Sequence, residues 1–158
     1  MQVSDLLRIK GNALYTIGPD EPLAQAAQIM AEADIGSLIV IEYGDVVGIL
    51  TFREVIAALA RTGGQLGPLR VRSVMEDSPI ICTLATELDE VRRIMLHHHA
   101  RYMPVIDQER LQGVISLYDV AKAVVESQDL ETRLLKAYIR DWPEQEGRQA
   151  IACGGGVH

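Results

Sequence analysis

Gly113-Val-Ile-Ser-Leu-Tyr-Asp119 is the stretch on which the reading of this chain turns. Two apolar residues follow a glycine, a serine able to cap a helix comes next, and an acid stands three positions later, so the order is that of a strand running into a helix. A helix start leaves backbone N–H groups without intrahelical partners and carries a partial positive charge, which suits an anion such as phosphate. Asp119, one turn on, is placed to accept hydrogen bonds from a diol. Ser-x-x-Asp is equally a capping box, in which the two side chains only satisfy the helix end, and seven residues alone favour that simpler meaning.

The pattern recurs sixty-five positions earlier as Gly48-Ile-Leu-Thr-Phe-Arg-Glu54. The same register pairs Leu23 with Leu88, Met30 with Met95, Val40 with Val105 and Val55 with Val120 without a gap. The chain is therefore an internal duplication. Its period is too long for a solenoid unit, so two small halves packed on each other are expected.

Composition narrows the class. With 158 residues and 48% hydrophobic content the chain can bury a shared core. A net charge of −7 without a dense Lys/Arg run argues against nucleic acid or an anionic membrane as partner. Two cysteines, Cys82 and Cys153, have no zinc-like spacing and suit a reducing compartment. No signal peptide or spanning apolar run is seen, so a cytoplasmic location is expected.

Each half reads as strand, helix, strand, strand, helix, an α/β (α+β) pattern. In the first half, Ala13–Ile17 is a strand, Leu23, Ala26, Ile29 and Met30 mark one face of a helix, and Ser37–Glu42 and Val46–Leu50 form a hairpin before a helix over 51–61. In the second, Ile80–Cys82 is the strand, 86–98 the helix, and 102–106 and 111–115 the hairpin. Pro104 implies an edge position or a backbone left free of ladder pairing. Val3–Leu7 and Val71–Met75 are similar lead-ins. The expected division is repeat 1 over 1–62, a Gly/Pro linker over 63–70, repeat 2 over 71–126, a helical extension over 127–142 and a flexible tail over 143–158.

Two such halves resemble a tandem pair of cystathionine-β-synthase (CBS) domains, a Bateman module, over about Val3 to Val125. The resemblance implies two repeats related by a pseudo-twofold axis, and clefts between them that bind adenosine nucleotides. AMP is the foremost ligand it implies, with ATP, NAD or S-adenosylmethionine as others. It also implies pairing into homodimers. Position by position, Asp119 resembles the acid that holds the ribose hydroxyls and Ser116 the hydroxyl beside the phosphate. Ile80, Ile81 and Cys82, with Tyr102, Met103, Pro104 and Val105, resemble the lining of the base pocket, and Arg101 resembles a phosphate-directed cation. In the first repeat Glu54 stands where the ribose aspartate is expected, and its extra methylene moves the carboxylate by more than a hydrogen bond tolerates. The second-repeat site is therefore the expected binder. The first-repeat site, Thr16, Ser37, Leu38, Thr51, Arg53 and Glu54, is either empty or specific for another ligand.

His97-His-His99 invites a metal assignment, but neighbours on a helix point about 100° apart and do not converge on one ion, so no metal is expected. One of these histidines facing the cleft mouth near Arg101 would attract phosphate. Cys82 in an apolar strand lacks the exposure and base that a nucleophile needs. No catalytic triad or P-loop can be assembled, so an enzyme is not expected. The implied function is a stand-alone nucleotide sensor that passes a change of repeat or dimer geometry to an unidentified protein target through the apolar stripe of the last helix. The alternative is a dimerising structural module with degenerate clefts.

Overall fold

Two lead-in segments, each packed on the opposite repeat, set the architecture. The computed structural model describes residues 1–11 and 13–140. Helix α1 (Val3–Lys10) buries Val3, Leu6 and Leu7. Its N-terminal backbone is fastened to the second repeat: the Val3 N–H donates to the Thr86 carbonyl at 2.9 Å, and the Ser4 N–H to that of Leu84 at 3.0 Å. A single 3-10 turn over Val71–Ser73 does the same for the first repeat, with the Val71 N–H on the Glu21 carbonyl at 3.0 Å and the Arg72 N–H on that of Pro19 at 2.7 Å. Val71 joins the first repeat's core beside Leu23, Leu38 and Leu50. Arg72 clamps the same joint from outside by bridging Asp20 and Glu42. Each core is thus closed by chain that belongs, in sequence, to the other half.

Within the repeats the duplication extends to backbone detail. Helix α2 (Leu23–Ala33) buries Leu23, Ala26 and Met30, and α4 (Leu88–His98) buries Leu88, Val91 and Met95, the apolar stripe that helical spacing predicts. Both end on a non-glycine residue in the left-handed region, Asp34 at φ 53° and His99 at φ 54°. The strain is held by the next N–H, Ile35 on Met30 and Ala100 on Met95, which satisfies a helix-end carbonyl. Strands β2 (Ser37–Glu42) and β3 (Asp45–Thr51) pair antiparallel with a bulge between Val40 and Ile41. Strands β4 (Tyr102–Asp107) and β5 (Arg110–Ser116) repeat the arrangement, with the bulge between Val105 and Ile106. Helix α3 (Phe52–Thr62) follows β3, and α5 (Leu117–Arg140) follows β5.

The opening strands are shorter than the sequence suggests. Strand β1 (Thr16–Ile17) runs parallel to β2, with Ile17 opposite Val40, whereas the second repeat keeps only the equivalent bridge of Cys82 to Val105. Proline explains the loss. The Ile39 N–H donates to the Tyr15 carbonyl at 3.1 Å, but its counterpart Pro104 has no N–H to offer, so the segment is held at Cys82, whose N–H donates to the Pro104 carbonyl at 3.1 Å and whose carbonyl accepts from the Ile106 N–H at 2.9 Å. The glycine-rich stretch after α3 is partly packed, with Leu66 and Leu69 against the first core.

Met1–Ala121 forms one compact unit and the chain from Lys122 onward a second. In the second, Leu134 and Leu135 of α5 are exposed. Among the described residues no helix is long and apolar enough to cross a membrane. Trp142, Cys153 and the glycine-rich tail lie outside the described residues.

The glycines of the duplicated motif admit the lead-ins. A Cβ at Gly48 would lie 2.6 Å from the Glu76 carbonyl oxygen, and one at Gly113 would lie 3.0 Å from Leu7 Cδ2. The first clash is with backbone and the second with a side chain that can turn. Gly48→Ala is expected to cost about 1–3 kcal/mol and Gly113→Ala distinctly less, read from urea-denaturation midpoints. Equal losses would contradict this account of the two joints.

Candidate functional site

Each copy of the motif closes a capping box. Thr51 caps α3, its hydroxyl oxygen accepting from the Arg53 N–H at 3.2 Å. The Glu54 Oε1 turns back to accept from the Thr51 N–H at 2.8 Å and from its hydroxyl at 2.9 Å. At α5 the Ser116 Oγ accepts from the Asp119 N–H at 3.0 Å, and Asp119 Oδ2 accepts from the Ser116 N–H at 3.0 Å. The simpler meaning of Ser-x-x-Asp is therefore present at both sites. At Asp119 a further cation arrives: Lys10 Nζ, from α1, lies 2.6 Å from Oδ2 and also donates to the Val114 carbonyl at 2.7 Å. Partial burial pushes the Asp119 carboxyl up, but the Lys10 ammonium and the Ser116 N–H and hydroxyl more than offset it, and it titrates below the usual carboxylate range.

A crevice of Met1–Ala121 lies where the start of α3 faces the entry to β4. It encloses about 830 Å³, within the roughly 300–1,000 Å³ of small-molecule sites. The first repeat contributes Thr51, Phe52, Arg53, Glu54 and Ile56. The second contributes Ile80, His98, His99, Arg101 and Tyr102, with Ser78 and Pro79 of its lead-in. Neither Arg53 nor Arg101 forms an ion pair among the described residues, so a cation from each repeat is left facing the cleft with two imidazoles beside them. The carboxylates of the lining are Glu54, folded back on Thr51, and Glu76, which accepts from the Ser78 N–H. Ile80 brings a second feature. Its carbonyl is the counterpart of the Tyr15 carbonyl, and Pro104 leaves it without the ladder donor that Tyr15 receives.

The residues named from sequence are thus sorted across repeats. Ile80, Arg101 and Tyr102 share the cleft with Thr51, Arg53 and Glu54, while Ser116 and Asp119 are absent from its lining. Met103, Pro104 and Val105 are buried in the hairpin behind it. Cys82 is buried too, which pushes its thiol up to about 12, so it is protonated at neutral pH and no nucleophile. Ile81 points to solvent, 48% exposed. Leu38 is core, Ser37 pairs with Thr51 across β2 and β3, and Thr16 borders a separate shallow depression with Glu21 and Gln25. Among the described residues no group of three His, Cys, Asp or Glu side chains could hold a metal, and the His97 and His98 rings meet edge to face, their centroids 4.9 Å apart.

Sequence reasoning missed Phe52, Lys10 and Gly36. Gly36 is the counterpart of Arg101, and a Cβ there would lie 1.6 Å from the Tyr102 hydroxyl and 3.2 Å from the Phe52 ring. The phenol of the second repeat therefore needs a residue without a side chain in the first. Gly36 just ahead of a β-rich run was a signal of close backbone approach. Nothing local marked Lys10, whose partner is more than a hundred residues away.

The family model for the CBS domain matches residues 3–61 and 71–126. Among curated proteins, the CBS domain-containing protein YhcV of Bacillus subtilis is 30% identical over 106 residues, 67% of this chain and 75% of that protein. Among solved structures, a CBS-domain containing protein from Agrobacterium tumefaciens is 34% identical with a TM-score of 0.75, over 78% of this chain and 98% of that one. A CBS domain pair solved with 5'-methylthioadenosine and S-adenosyl-L-methionine shares the fold, with a TM-score of 0.71 at 22% identity over 80% of this chain and 98% of that one.

The lowered Asp119 carboxyl fixes a pH dependence. A carboxyl depressed by folding adds stability that is fully present above its unfolded value of roughly 3.9 and is lost as pH falls through the lower folded value. Asp119→Asn removes this component. Between pH 6 and pH 3 the variant is expected to lose less stability than the parent, as measured by urea midpoints; an identical loss would show that the Lys10 pair contributes nothing.

Proposed function

This chain belongs to the CBS-domain family, and from that premise we propose that it is a regulatory module that binds an adenosine nucleotide, AMP foremost, in the cleft between its two repeats. The observation that carries the reading is the pair of arginines, Arg53 and Arg101, one from each repeat, that line one crevice without carboxylate partners among the described residues. In a chain of net charge −7 an unpaired cation pair is a local attraction for phosphate. Phe52, Ile80 and Leu96 give the apolar surface that a base requires. The Ile80 carbonyl supplies an acceptor for a ring amine. A phosphate held by both arginines ties α3 of one repeat to the β4 entry of the other, so occupancy couples directly to the angle between repeats.

The test is a thermal-shift screen with AMP, ADP, ATP, NAD and S-adenosylmethionine. A ligand at a hundred times its Kd adds about 2.7 kcal/mol to the folded state. Arg101→Ala and Arg53→Ala each remove a charge-assisted contact of about 1.5–3 kcal/mol and are expected to weaken binding roughly tenfold or more. Melting points that no ligand moves, or that move as much in both variants as in the parent, would sink the reading.

We further propose that the module works as a homodimer, with the exposed leucines Leu134 and Leu135 of α5, 62% and 59% accessible, as part of the covered surface. Leu134→Asp is expected to shift a concentration-dependent dimer toward monomer in sedimentation velocity. A parent that is monomeric at every concentration overturns this part alone.

A further inference from the structure

The two ends of the duplicated motif are the same in frame and different in occupancy. Glu54 and Asp119 both close capping boxes, but only Asp119 among these two meets an ammonium. The lead-ins explain why. Val3 and Val71 make equivalent backbone bonds, to Thr86 and Glu21, and Leu7 and Met75 fill equivalent spaces before Gly113 and Gly48. In that register Lys10 falls opposite Ser78, a short uncharged residue in the lining of the open cleft. The first lead-in continues as a helix as far as Lys10, whereas the second is one 3-10 turn. The basic side chains of the open cleft are missing from the copy: Arg53, His98, His99 and Arg101 correspond to Tyr118, Ala33, Asp34 and Gly36. The space beside Gly36 is already filled by the Tyr102 phenol.

We propose that Lys10 is an internal occupant of the second cleft. Its ammonium holds the carboxylate that the equivalent site would offer a ligand, so the module takes up one nucleotide per chain and the second site becomes available only when Lys10 withdraws. The Lys10 and Asp119 side chains are 34% and 20% exposed, so water screens the pair only in part. A ligand hydroxyl would have to displace an ion pair in which both partners are charged, and its own bond to the carboxylate carries charge on the acceptor alone. Once freed, the site carries Tyr118, Ala33, Asp34 and Gly36 at the positions where the open cleft has its arginines and histidines, and it suits an uncharged nucleoside better than a phosphate. The uptake of one nucleotide rests on the open-cleft reading above; the occlusion by Lys10 does not.

The experiment is calorimetric titration of the full chain with AMP, then of the AMP-saturated chain with adenosine, for the parent, Lys10→Ser and Lys10→Arg. The parent is expected to bind one AMP and no adenosine. Lys10→Ser should keep its AMP affinity within about twofold and gain adenosine affinity of at least about tenfold over the parent, and Lys10→Arg should behave as the parent. Two AMP molecules bound by the parent, or no adenosine gain in Lys10→Ser, overturn the proposal. A parent that binds no AMP while Lys10→Ser gains adenosine leaves the occlusion standing and removes the open-cleft reading. One AMP in the parent without a gain in the variant does the reverse. Lys10→Gln, neutral and compatible with the helix, carries the same expectations should Lys10→Ser fail to fold.

Discussion

The exchange of lead-ins is the constraint on which the rest of the molecule depends. Burying Val3 and Val71 contributes about 1.5–3 kcal/mol each by apolar transfer, and in both cases the surface they cover belongs to the opposite repeat. Folding either core to completion therefore requires that both repeats be present and opposed. This opposition is what makes a crevice: the start of α3 is brought to face the entry of β4, and neither element alone would have a concave surface to offer. At Gly48, Gly113 and Gly36 the two copies approach so closely that a Cβ would meet the other copy at 3.0 Å or less.

On this shared frame the two copies carry different surfaces. One end is an open crevice with an arginine from each repeat, and the other holds the Lys10–Asp119 ion pair, with the Tyr102 phenol against Gly36. Bulges, hairpin turns and helix ends recur in register, so the difference lies in the lead-ins and in side-chain identity. One lead-in is a helix that carries Lys10 and the other a single 3-10 turn, with Ser78 in the matching position, and glycine stands for arginine before the strand of the first repeat.

Much of the fold was legible in the sequence because a gap-free offset is a strong constraint. Once Gly48 and Gly113 are aligned, the hairpins, the apolar stripes of α2 and α4 and the helix starts follow from periodicity and turn chemistry. Two things did not follow. The strand over Ile80–Cys82 was read from β propensity, and Pro104 on the neighbouring strand, which withholds the donor, reduces it to one bridge. The composition of the site was read within a repeat, by placing Asp119 with Ile80 and Arg101. In the fold the strand entry of the second repeat faces the motif of the first, a relation set by crossed segments distant in sequence. Local pattern holds no information about it.

The crossing has an evolutionary corollary. A lone ancestral repeat would have carried an approach segment with no surface of its own to lie on, and could have completed its core only by trading that segment with a second, identical chain. Duplication and fusion of such a gene would link partners that were already intertwined, and from then on each copy was free to change its contacts without the other.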